Sequence, residues 1–127
     1  MTKIRIGFTV GTWDLWHENH VNFLKVARTH CDVLYVGIVT DRLVYVQKGA
    51  GRPIDVFAKR KANLALSGLA DRIVILDTLD MTPYLQMSDV WILGGDQYRM
   101  LPEDYPNCVY IPRFPGVSTT EKLKEEK

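Results

Sequence analysis

The order of its hydrophobic runs predicts that this chain folds as an α/β domain, a five-stranded parallel sheet with helices on both faces. Three observations carry that expectation. The short apolar runs are nearly continuous rather than alternating, as strands buried on both faces are. Between them lie segments whose apolar residues recur at helical spacing. Polar and glycine-containing turns follow the strand ends, at Gly11-Thr12, at Gly94-Gly95-Asp96 and at Arg113.

Taken in order, Ile4 to Val10 reads as the first strand and His17 to Thr29 as the first helix, with Val21, Leu24 and Ala27 on one face. Val33 to Val39 is the second strand. Thr40 to Pro53 reads as one long connection, whose Lys48-Gly49-Ala50-Gly51-Arg52-Pro53 stretch combines glycines with two cations. Asp55 to Ser67 is a helix and Arg72 to Leu76 the third strand. Thr82 to Met87 is a short helix, Val90 to Leu93 the fourth strand, and Gln97 to Pro102 a turn of helix. Val109 to Ile111 is the fifth strand. Thr119 to Glu126 is the last helix, with Ser118 as N-cap and Glu121 completing a capping box. The last residues, about 120–127, are a charged helix end or tail. Strands joined by helical crossovers make a Rossmann-like sheet, whose ligands bind beyond the carboxyl ends of the strands.

At 127 residues the chain is expected to form one domain, 1–127, able to bury a core without disulfides or metal. A net charge of +1 argues against nucleic acid as the main partner. No apolar run approaches the ~20 residues needed to span a bilayer. Met1-Thr2-Lys3 leads directly into a strand, so the expectation is a cytoplasmic protein without a signal peptide. Cys31 and Cys108 sit at strand edges and read as buried free thiols.

The chemistry concentrates in Gly11-Thr12-Trp13-Asp14-Leu15-Trp16-His17-Glu18-Asn19-His20. His17 and His20 stand where a strand hands over to a helix. Unpaired N–H groups and the positive end of the helix dipole favour phosphate there. For each histidine the alternative is a helix cap or a packed core residue. Ser118-Thr119, behind Arg113, form a second helix start.

Together these segments resemble the cytidylyltransferase-like nucleotidyltransferases, whose pattern is G-T-F-D-x-x-H-x-G-H after the first strand and R-x-x-G-I-S-T-T before the last helix. Within that group the chain is similar to the bacterial glycerol-3-phosphate cytidylyltransferases. The resemblance implies transfer of a nucleotidyl group from a triphosphate, CTP in the first reading, to a small phosphorylated alcohol or sugar. It implies Mg²⁺ and a homodimer. His17, His20, Lys48 and Arg113 become the candidate catalytic residues. Thr12, Trp13, Gly94, Asp96, Arg113, Ser118 and Thr119 join the histidines around the nucleotide. Lys48 and Arg60 would face the acceptor.

Two departures matter. Asn19 stands where the family pattern has glycine, and asparagine is among the side chains most tolerant of left-handed backbone. Gly95 replaces an acidic residue of the cytidylyl enzymes, and Gly94-Gly95-Asp96 resembles the turn of adenylyl relatives such as heptose-phosphate adenylyltransferases. Phe114-Pro115 also departs from the usual Thr-Glu. ATP as donor, or a nucleotide-binding protein without turnover, therefore stand as alternatives.

Overall fold

A computed structural model describes residues 3–78, 80–94 and 107–112. The elements run β1 (Ile6–Gly11), α1 (Glu18–Arg28), β2 (Val33–Val39), α2 (Asp41–Lys48), α3 (Phe57–Ser67), β3 (Arg72–Leu76), α4 (Thr82–Met87), β4 (Val90–Gly94) and β5 (Cys108–Ile111). The five strands form one sheet in the order β3-β2-β1-β4-β5, and every neighbouring pair is parallel. The predicted fold class is therefore the observed one.

Two apolar layers sandwich this sheet. On one face Leu34, Val36, Ile38, Val90 and Ile92 pack against Leu24 and Ala27 of α1 and Leu64 of α3. On the other, Phe8, Val10, Val39, Leu76, Trp91 and Leu93 pack against Leu43 and Val44 of α2 and Tyr84 and Leu85 of α4. Alternate strand residues serve opposite layers, which is why the strands read as continuous apolar runs.

Three aspartates fasten the amino ends of the strands. Asp32, before β2, accepts the Arg5 N–H at 2.8 Å; Asp89, before β4, accepts the Ile6 N–H at 2.8 Å. Asp71, before β3, accepts the Leu34 N–H at 2.7 Å. Each carboxylate satisfies a backbone donor at a sheet end where no ladder partner is available. The ladder register is thus pinned on the edge opposite the carboxyl ends, leaving the latter to carry the site.

Helix α2 corrects the expectation of one long loop. Thr40 is its N-cap, accepting the Leu43 N–H at 3.3 Å, and Gly49 ends it at φ 89°. Only Leu43 and Val44 of this helix are buried, while Tyr45 and Val46 are exposed. The Leu-Val-Tyr-Val run has β-branched and aromatic character that masks an eight-residue helix. Lys48 consequently sits in a last helical turn rather than within a loop. The expected turn near 97–102 and the helix at 119–126 lie outside the described residues.

Candidate functional site

Chain order reverses across the sheet at β1, which has β2 on one side and β4 on the other. The crevice beyond the carboxyl ends of β1 and β4 is therefore the switch point, where such sheets bind ligands. The turn from β1 into α1 enters it sharply. Trp13 and Leu15 hold left-handed backbone, at φ 58° and 49°. Such conformations cost about 1–3 kcal/mol each and persist only when the surroundings impose them. Here both side chains are buried, and the Trp13 indole N–H donates to the Gly37 carbonyl at 2.9 Å.

Trp13 thus belongs to the core through its ring, and only its backbone is left for the nucleotide role expected of it. The ring lies against Gly11, where a Cβ would come within 2.8 Å of it. Gly94 also serves packing, since the space a side chain would need there is filled by the Phe23 ring of α1. Neither glycine has positive φ.

His17 and His20 come together at the start of α1, their rings stacked at 4.1 Å between centroids and 28° between planes. Trp16 stacks on His20 at 5.3 Å, and Trp13 meets it edge-on at 5.7 Å. Trp16 is a supporting residue that the motif alone does not single out, because it precedes the helix and the i, i+4 pairing of helical neighbours does not extend to it. Both histidines are partly exposed.

Asn19 is the second residue of α1, and its backbone is not left-handed. The glycine of the family pattern is therefore not demanded by conformation here; the turn's strain sits at Trp13 and Leu15 instead. Asn19→Gly is expected to keep kcat/KM within a few-fold and to cost only a few tenths of a kcal/mol, the propensity difference between the two residues in a helix. A tenfold loss of kcat/KM with unchanged folding would assign the Asn19 side chain a direct role on the ligand.

The basic loop is anchored to the same turn by Asp14. This carboxylate is 1% exposed and accepts the N–H groups of Leu15, Ile54 and Asp55, at 3.1, 2.8 and 2.8 Å. Arg52 lies 3.8 Å from its Oδ2. Lys48 is exposed as a residue, yet loss of hydration around its ammonium, then the Arg52 charge, lowers its pKa from the ordinary lysine value; Asp14 opposes the shift and Arg60 adds to it. An arriving phosphate would relieve that crowding of cations, so the cluster is suited to an anion.

Arg60 requires a correction. It was expected to face the acceptor phosphate, but it is fully buried. Its Nε donates to the Asp55 carbonyl at 3.1 Å, and its Nη1 to the Thr12 and Val39 carbonyls at 2.7 and 2.9 Å. Its Nη2 donates to Asp41 Oδ1 at 2.7 Å. These four bonds commit the fully buried guanidinium to protein, so it sits beneath the site and positions it. Thr12, half-buried, enters this network through its carbonyl.

Burial raises the pKa of both Cys31 and Cys108 above the ordinary thiol value. Among the described residues no three His, Cys, Asp or Glu side chains gather around one point. Magnesium is held through substrate phosphates and water with at most one or two carboxylates, so it needs no such cluster. Also among the described residues, no helix is long and apolar enough to cross a membrane. Asp96, Arg113, Ser118 and Thr119 lie outside the described residues, as do Gly95 and Phe114-Pro115.

The model of the family described as cytidylyltransferase-like matches residues 8–123, a span that includes both motifs. The chain belongs to the cytidylyltransferase-like family. Among its curated relatives is the bifunctional protein HldE of Hyphomonas neptunium, 38% identical over 127 residues that make up 92% of this chain and 26% of the relative. The HldE of Acidiphilium cryptum is 42% identical over 95 residues, 72% of this chain and 19% of that one. The chain thus spans about a quarter or less of the length of these relatives. In structure it is similar to a lipopolysaccharide core biosynthesis protein of Thermoplasma volcanium, with a TM-score of 0.74 at 21% identity, covering 88% of this chain and 99% of the other. A protein of unknown function from Archaeoglobus fulgidus superposes with a TM-score of 0.68 at 17% identity, covering 91% and 94%. These two likenesses show the fold.

Proposed function

We propose that this chain transfers the nucleoside monophosphate of ATP to a small phosphorylated sugar or similar acceptor, releasing pyrophosphate. The observation that carries this reading is the stacked His17–His20 pair at the switch point, with the Lys48–Arg52 cluster anchored to the same turn through Asp14. An oxygen of the acceptor phosphate attacks the α-phosphorus, a new P–O bond forms, and the bond to pyrophosphate breaks in line. Charge builds on the phosphoryl oxygens, so catalysis consists of positioning and electrostatic stabilisation. His17 and His20 supply directed donors, and Lys48 and Arg52 supply positive charge. A magnesium ion accompanying the triphosphate would rest on phosphate oxygens and water.

ATP is favoured over CTP because the curated relatives above are HldE proteins, and because Gly94-Gly95-Asp96 resembles the turn of heptose-phosphate adenylyltransferases. Arg113 before Gly116-Val117-Ser118-Thr119-Thr120 supports CTP as the second reading. Pyrophosphate release should be measured with each triphosphate against a panel of sugar phosphates and glycerol phosphate. The expected result is a higher kcat/KM with ATP and a sugar phosphate. A CTP preference would return the chain to the cytidylyl branch. Tight nucleotide binding with no pyrophosphate release under any pairing would leave a binding protein.

A further inference from the structure

His17 and His20 also build the start of α1. His17 is its N-cap, in extended backbone at φ −147° and ψ 177°. Its Nδ1 accepts the Asn19 N–H at 3.2 Å, and His20 Nδ1 accepts the His17 N–H at 3.2 Å. This is the reciprocal arrangement of a capping box, with imidazoles in the places that Ser or Thr and Glu or Gln usually hold. A ring nitrogen that accepts a hydrogen bond carries no proton, so a neutral ring must then carry its proton on Nε2.

We propose that the two caps lock both histidines as neutral Nε2–H tautomers, so that the pair meets a phosphate ligand as hydrogen-bond donors and not as two cations. The identity of that ligand rests on the nucleotidyl-transfer reading; the tautomers rest on the caps alone. The 4.1 Å stack agrees, because two imidazolium rings at that spacing would repel each other. Trp16 and Trp13 hold the plane of the His20 ring from two sides and fix where its Nε2 points. Directed donation and positive charge are then divided between elements: the start of α1 donates, and the Lys48–Arg52 cluster carries the charge. Alanine at either histidine accordingly removes a ligand donor and a capping acceptor together.

The test is imidazole ¹⁵N NMR of the whole chain without ligand, at about pH 8, above the ordinary histidine pKa of roughly 6.5. Signals are assigned with His17→Asn, His20→Gln and a substitution at His30. The expected spectrum shows Nδ1 bare and Nε2 protonated in both His17 and His20. An Nδ1–H tautomer in either ring overturns the proposal. A second measurement compares urea midpoints. His17→Asn and His20→Gln keep an acceptor at the cap and should stay close to wild type, whereas His17→Ala should unfold at lower urea. Equal midpoints for His17→Ala and His17→Asn would show that His17 is no cap. Wild-type turnover in His17→Asn would overturn the transferase role of the pair, while the spectrum decides the tautomers separately.

Discussion

Alanine at His17 or at His20 is expected to lower turnover by about two to four powers of ten. The comparison is with an enzyme that loses one preorganised donor to a developing oxyanion, at roughly 2.7–4 kcal/mol. The stacked rings at the switch point place two such donors side by side. Because His17 is also the N-cap of α1, His17→Ala should cost a further ~0.5–2 kcal/mol of folding stability, the usual penalty for losing a cap. The two losses are read by different instruments. Pyrophosphate release at saturating substrate reports the first, and urea denaturation reports the second. Were both alanine variants to turn over at the wild-type rate while folding normally, the reacting phosphates would have to lie elsewhere on the domain.

The sheet was legible because strands buried on both faces leave continuous apolar runs, and Val33–Val39 and Arg72–Leu76 coincide with β2 and β3 to the residue. The first motif was legible for a related reason. A histidine pair directly after an apolar run and before a helical pattern has only one place to go in a parallel sheet, the carboxyl edge. What spacing could not reveal was which polar residues face a ligand and which face the protein. Arg60 looks like a surface cation on a helix, and its burial depends on three carbonyls, those of Thr12, Val39 and Asp55, two of them remote in sequence. Asp14 likewise sits in the β1–α1 turn, yet two of its three bonds reach some forty residues on, to Ile54 and Asp55. Helix α2 was hidden by its own side chains. Thr40 before Asp41 and Gly49 after Lys48 were the available signals, a cap at each end, and the β-branched run between them outweighed both.

Arg60→Ala is expected to destabilise the domain by about 3–5 kcal/mol, the range for truncating a large, fully buried side chain to alanine. The guanidinium joins the carboxyl ends of β1 and β2, through Thr12 and Val39, to Asp41 at the start of α2 and Asp55 before α3. Truncation would leave three carbonyl oxygens without their donor and a void where a fully buried side chain had been. Asp41 would be affected less, since its side chain is 47% exposed and water can replace the lost partner. Arg60→Lys should rescue only part of the loss, because one ammonium cannot span donors that a planar fork reaches in several directions. Urea unfolding of wild type, Arg60→Ala and Arg60→Lys at unchanged m-value measures the effect. The same variants separate this role from that of an acceptor ligand. An arginine facing the acceptor phosphate would, on truncation, raise KM for that substrate and leave the unfolding midpoint where it was. The buried network demands the reverse order: the midpoint falls first, and at a temperature where the variant remains folded any loss of activity follows the shifted Thr12 turn and touches both substrates. A midpoint shift worth less than about 1 kcal/mol, well short of the range for a large buried side chain, together with a KM change confined to the acceptor, would return Arg60 to the substrate site.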